Sequence, residues 1–211
     1  MATVTTQTGN AEEAKAPSAG FRPYRINTGL YQRMVATGAF GEKSHVFLWK
    51  GHLVEKISDR TKGRPHVSAL NRLYRTLSGL VPTEYFVEQE QPLDLGLDSV
   101  PEPDLKVVRG RDENYRDRDP FARDVPLVAE VADSSLSDDT GEMLREYAAA
   151  LLPVYWIVNI PLQRIDVHTR PTGPIERPRF ESCQSFGPDD VVPVVLDGRE
   201  VGRVPVKHIL F

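Results

Sequence analysis

Two carboxylates sit where hydration is hard to keep. Glu130 lies inside "PLVAEVA", where Leu127, Ala129 and Val131 leave one face of a strand and Val128, Glu130 and Ala132 the other, so both faces are apolar apart from the glutamate. That pattern reads as a central strand. A carboxylate placed there must neutralise, pair or bind a cation. Asp104 opens a second short apolar run, "PDLKVV", directly after Pro103. Two neighbouring strand carboxylates can hold one hard cation, with waters filling its remaining positions; a salt bridge or a turn role would also satisfy them. The order of the chain, an acid at one strand, an acid within the next and a capped helix straight after, favours the cation. A third feature is "RGRDENYRDRDPFAR", from Arg109 to Arg123, which is almost wholly charged. A run of mixed sign faces water unless a phosphate-like group lies against it.

The elements that position these groups follow from periodicity. "TGLYQRMVATG" is a short helix with Thr28 as N-cap and Gly38 as C-cap. "HVFLW" and "HLVEKI" form a hairpin turning at Lys50-Gly51. Pro65 opens a second helix, whose Val67, Leu70, Leu73, Tyr74 and Leu77 make one apolar stripe for packing on a sheet. "EYFVEQEQPLDLGL" reads as one or two strands and "DLKVV" as another. Asp139 and Glu142 have capping-box spacing for a helix reaching about Leu151. "PVYWIVNI", "RIDVHTR" and the short segments down to Phe211 are strands, closed by a terminal helical turn. This order predicts an α/β (α+β) domain over residues 21–211 built on one mixed central sheet. Residues 1–20 are small, polar and aperiodic, as in a disordered tail.

Composition narrows the function. The chain has 211 residues, enough for one full core. With a single cysteine, Cys183, it has no disulfide framework or thiolate metal site. No apolar run approaches the roughly 18 residues that span a bilayer, and no signal peptide is evident, so a cytoplasmic protein without membrane partners is expected. A net charge of −4 argues against a broad basic nucleic-acid surface but leaves room for a local patch.

Three stretches, "VFLWKGHLVEKISDRTKGRPHVSALNRL", "EPDLKVVRG" and "PLVAEVADSSLSDDTGEMLREYAAALLPVYWIVNI", occur in one order that resembles the Uma-type putative restriction endonucleases, a branch of the PD-(D/E)XK nuclease superfamily. The likeness spans about residues 23 to 210. It implies a restriction-endonuclease-like mixed sheet flanked by helices, an endonuclease hydrolysing DNA phosphodiester bonds, and Mg²⁺ or Mn²⁺ as cofactor. Under the resemblance Asp104 is the metal-binding aspartate, Glu130 the second acidic ligand and the Val131 carbonyl a backbone ligand. His66 matches a histidine at the start of the second helix. If DNA passes near the metal, Arg109, Arg111, Arg116 and Arg118 are the phosphate contacts of the charged loop. A compact nuclease cutting both strands would act as a homodimer.

The departures from that pattern bear on activity. The family's catalytic lysine falls in a "GEK" triplet on the helix after the second acid; here the triplet is "GEM" and Met143 takes its place. Phe47 stands where a glutamate is usual, and Lys50 where an acid is usual. Lys106, two residues after Asp104, leaves the same strand face, so its amine is the candidate substitute cation, with an ordinary strand-edge lysine as the plainer reading. Met143 would then be apolar packing beneath Glu130. The alternative function is a degenerate nuclease fold that binds nucleic acid or a protein partner without cleavage; a structural or assembly role is a third reading.

Overall fold

In the computed structural model, which describes residues 20, 22–41, 45–55, 63–96, 98–133 and 139–211, strands β1 (Val46–Trp49) and β2 (His52–Glu55) pair with Trp49 opposite His52. A two-residue turn matching strand twist needs positive φ at both positions. Lys50 and Gly51 supply it, at 49° and 78°. The first helix, α1 (Thr28–Ala36), is capped one residue earlier than expected: Asn27, not Thr28, accepts the Leu30 N–H through its side chain. Gly38, at φ 68°, lies one residue beyond the C-cap Thr37, where a left-handed residue ends a helix. Residues 1–19, the greater part of the expected tail, lie outside the described residues.

Helix α2 (Arg64–Leu80) starts with Pro65 in its first turn and buries His66, Ala69, Leu70, Leu73 and Leu77. Val67, expected inside, is 40% exposed. The buried stripe runs 66, 70, 73, 77, and Val67 sits about 100° round from it, so His66 takes the inward place. Of "EYFVEQEQPLDLGL", only β3 (Tyr85–Gln89) is a strand: Glu90 turns at φ 50° and Pro92 cannot donate to a ladder.

One six-stranded sheet runs in the order β3, β4 (Leu105–Arg109), β5 (Leu127–Ala132), β6 (Val154–Asn159), β7 (Arg164–Pro171), β8 (Phe180–Phe186). Only β5 and β6 are parallel, and parallel neighbours need a crossover. The crossover contains a π-helical turn, Asp139–Met143, leading into α3 (Leu144–Ala149). It ends two residues short of the expected Leu151, which adopts φ 60°. After β8, the hairpin of β9 (Val191–Leu196) and β10 (Arg199–Pro205) leads into α4 (Val206–Leu210). This is the mixed, helix-flanked sheet that the resemblance implies.

The two sheet faces carry separate cores. Leu127, Ala129 and Val131 pack with Leu73 and Leu77 of α2, with the β9–β10 hairpin and with Ile209 of α4. Val128 and Ala132 pack with Tyr147 and Ala148 of α3 and with Leu93, Ala122 and Val125 from the connections around β4. Full burial of each such aliphatic side chain contributes roughly 1.5–3 kcal/mol. β5 is thus covered on both sides, and Glu130 is set against the α3 side.

Candidate active site

The β4–β5 ladder ends at Leu105 opposite Ala129, and the next residues along are Asp104 and Glu130. Side chains continue where the ladder stops. Val131 N–H donates to Asp104 Oδ2 at 2.9 Å, and Asp104 N–H donates to Glu130 Oε2 at 3.0 Å. Each acid therefore satisfies a backbone donor on the other's strand, and the two carboxylates are drawn to one point. Both are buried, at 4% and 5% exposure. Each is also held from a helix. His66 Nε2 of α2 lies 3.1 Å from Asp104 Oδ2, and the Tyr147 hydroxyl of α3 donates to Glu130 Oε1 at 2.8 Å. His66 Nδ1 is buried with no hydrogen-bond partner among the described residues.

The Val131 carbonyl belongs to the same corner. A strand residue sends its N–H and C=O to the same side. Val131 N–H turns to Asp104, whereas the carbonyl of the next residue, Ala132, accepts from Ile160 N at 3.0 Å on the β6 side. The Val131 carbonyl thus faces β4 and Asp104. Asp133 follows at the strand end, its Oδ2 3.2 Å from the point a Cβ would occupy on Gly63, the N-cap of α2. Its negative charge suits the partial positive charge of a helix N-terminus.

Lys106 shares the Glu130 face: it lies opposite Val128 on one side and Glu88 on the other. Its amine is engaged on the β3 side. Nζ is 2.9 Å from the Gln91 carbonyl and 2.8 Å from Glu88 Oε2, and the residue has no exposed surface. The contact with Glu88 is a buried ion pair. Directly opposed residues have Cβ atoms about 5 Å apart and diagonal ones 7–8 Å, so Glu88 is the nearer claim on the ammonium. Burial pulls the Lys106 pKa below the ordinary lysine value, with Glu88 acting against it.

Met143 is half-buried and packs with the α3-side core, four residues before Tyr147 and so on the same helical face. Glu142 Oε1 accepts from Lys50 Nζ at 2.7 Å, and the Asp139 side chain of the expected cap lies outside the described residues. The same ammonium lies 3.0 Å from Glu146 Oε1, tying the β1–β2 turn to α3. The Lys50 bond holds the Glu142 carboxyl below its usual range. Phe47 packs edge-to-face on Trp49, with centroids 6.2 Å apart.

The four arginines expected to meet phosphate divide into two kinds. Arg109 makes a forked ion pair with Asp197 and donates to the Arg123 carbonyl. Arg118 pairs with Asp124 at 2.8 Å and lies 4.8 Å from the ring centroids of both Tyr115 and Phe121. Arg111 and Arg116 are exposed and form no ion pair among the described residues. The loop leaves β4 at its far end, about 17 Å along the strand from Asp104 at ~3.3 Å per residue.

A model of the Uma2 family, described as putative restriction endonuclease, matches residues 30–199. The chain belongs to the Uma2 family. Among solved structures it is similar to the crystal structure of a putative nuclease belonging to DUF820 from Anabaena variabilis ATCC 29413. That likeness has a TM-score of 0.57 and 18% identity, covering 78% of this chain and 89% of that one, and it speaks to the fold. A search of curated proteins found no match. The family match contains His66, Asp104, Lys106, Glu130 and Met143, so all five can be read as positions of a Uma2 chain. Two residues at or beside this corner, Tyr147 and Glu88, escape a reading of the sequence. A buried phenol reads as core, and a strand-edge glutamate gains its partner only from a register that no local pattern encodes. A usable signal existed for Tyr147: a buried glutamate needs donors, and Tyr147 repeats the Met143 face one turn on.

Proposed function

We propose that this Uma2 protein is a divalent-metal-dependent nuclease acting on DNA, with Asp104, Glu130 and the Val131 carbonyl as the metal-holding set. The observation that carries this reading is the reciprocal clasp of two buried carboxylates at one strand end. The donors fit a hard cation because all three are oxygens. Among the described residues no cluster of three or more His, Cys, Asp or Glu side chains could hold a metal alone, so a backbone carbonyl and waters would complete the shell, as Mg²⁺ tolerates. When bound, such an ion supplies phosphate polarisation and an activated water. The chain's own part is to hold the two carboxylates in place: Asp104 through Val131 N–H and His66, Glu130 through Asp104 N–H and Tyr147. Cutting both strands of a duplex would engage two copies.

A second reading, binding without cleavage, is favoured by one specific arrangement. Met143 offers no charge at the place where the resemblance expects a lysine, and the Lys106 ammonium is engaged by Glu88 and Gln91. Loss of one such charge-stabilising group costs on the order of 10²- to 10³-fold in rate. Supercoiled and linear DNA incubated with Mg²⁺ or Mn²⁺ separates the readings. The nuclease reading expects metal-dependent cutting that Glu130→Ala abolishes and Met143→Lys raises by roughly 10². An inert wild type that Met143→Lys alone converts into a nuclease would show a disabled nuclease site, as the second reading expects. Cutting that survives Glu130→Ala would overturn the assignment of the site.

A further inference from the structure

Tyr147 has a role that packing does not account for. It is fully buried, and its ring lies edge-on to Tyr155 of β6, with centroids 5.0 Å apart at 69°. Its backbone is fixed as well. Leu152 N–H donates to the Tyr147 carbonyl at 3.1 Å, and Lys50 braces the helix through Glu142 and Glu146, the residue just before Tyr147. A ring held on these sides has little freedom beyond its hydroxyl torsion, and that hydroxyl donates to Glu130 Oε1. Bonds from a neutral donor to an ionised acceptor are shorter and about twice as strong as neutral ones, and more so away from water. The other Glu130 oxygen, Oε2, accepts from the Asp104 amide. Two donors from two different elements therefore define the carboxylate plane: one from the strand that carries the first acid, one from helix α3.

We propose that Tyr147 is a positioning residue of the active site: through its hydroxyl, α3 fixes the orientation of Glu130 toward Asp104 and so sets the affinity of the pair for a divalent cation. This rests on the metal reading above. Outer donors to metal-binding carboxylates typically govern 10- to 100-fold of metal affinity. Without the hydroxyl the Glu130 carboxylate can rotate about its terminal torsion, which is broad and weakly preferred on its own. The Asp104 N–H then loses its acceptor for part of the time.

The test uses the full chain with Tyr147→Phe, which keeps the ring and removes only the oxygen. Tyr31→Phe is the control, since Tyr31 is a second buried phenol, donating to the Val46 carbonyl at 3.1 Å and packed with Leu48 and Val100. Two readouts are taken. In metal-free protein, amide exchange at Asp104 is followed by NMR; Tyr147→Phe should speed it at least tenfold relative to wild type and Tyr31→Phe should not. Melting temperature against Mg²⁺ concentration is then measured, and Tyr147→Phe should need at least tenfold more metal for the same rise. Faster Asp104 exchange in a protein whose wild type gains nothing from Mg²⁺ keeps the orienting role and removes the metal reading. Unchanged exchange with unchanged Mg²⁺ dependence overturns the positioning role while leaving the metal reading intact. Faster exchange with unchanged affinity, where the wild type does bind Mg²⁺, also overturns the proposal, because the orientation would then have no bearing on the cation.

Discussion

At Lys106 an ammonium with no exposed surface meets one carboxylate and one carbonyl. Removing one partner of a buried pair leaves the other charge uncompensated, at a cost of about 3–5 kcal/mol. Glu88 keeps some solvent contact, at 18% exposure, so the low end applies. Lys106→Met is expected to destabilise by ~3 kcal/mol, a fall in melting temperature of roughly 6–12 °C for a chain of this size. Adding Glu88→Gln should restore more than half of the loss, and cleavage per folded molecule should stay unchanged. A Lys106→Met protein that melts normally yet loses cleavage would show instead that this amine serves the chemistry. At this scale much of the site is legible in the sequence. A glutamate flanked on both strand faces by apolar residues announces a buried charge, and "PD" ahead of another apolar run announces its companion. The direction of the Lys106 amine is not legible, because it depends on the β3–β4 register, which places Glu88 rather than Asp104 directly opposite.

Elements that meet only in the tertiary fold depend on contacts of the same kind. The β9–β10 hairpin turns at Asp197-Gly198, with φ 51° and 77°, and the Asp197 carboxylate accepts from Arg109 at the end of β4 and from the Tyr85 hydroxyl at 2.8 Å. The Arg109 bond is the main reason that the Asp197 pKa lies below the ordinary aspartate value of 3.8. A depressed folded-state pKa stabilises at all pH above the unfolded value, and the contribution is lost as pH falls through the folded value. Asp197→Asn should therefore lower the melting temperature at pH 7, and the difference from wild type should shrink to nothing as pH is taken from about 4 downward. The pair is 35–38% exposed, so after allowance for solvent screening the effect is well below 1 kcal/mol, ~1–2 °C. A difference that persists unchanged at low pH would assign the tether to shape rather than charge. The strands themselves were readable from period-two patterns and the Lys50-Gly51 turn from its dipeptide. Less readable were the ends of helices. Asn27 outcompetes Thr28 because its side chain reaches the Leu30 amide, and no local pattern announces that Lys50, 92 residues earlier in the chain, reaches the Glu142 carboxylate.

Across the whole molecule, α2, α3, β4 and β5 each bring one donor or acceptor to a single corner: His66, Tyr147, Asp104 and Glu130. No helix among the described residues is long and apolar enough to cross a membrane. The charged loop, by contrast, leaves from the other end of β4, and two of its arginines, Arg109 and Arg118, are committed to Asp197 and Asp124. In the proposed function this corner holds a divalent cation. A ligand that binds only the native state stabilises it by RT ln(1 + [L]/Kd). The most direct measurement is the melting temperature of the full chain against Mn²⁺ concentration, for wild type and for Asp104→Asn. The wild type should gain about 1.4 kcal/mol for each tenfold increase in Mn²⁺ above the dissociation constant, ~3–6 °C per decade, and Asp104→Asn should show no gain. A wild type indifferent to Mn²⁺, or an equal rise in Asp104→Asn, would contradict the account and leave the two carboxylates as structural braces of a strand end.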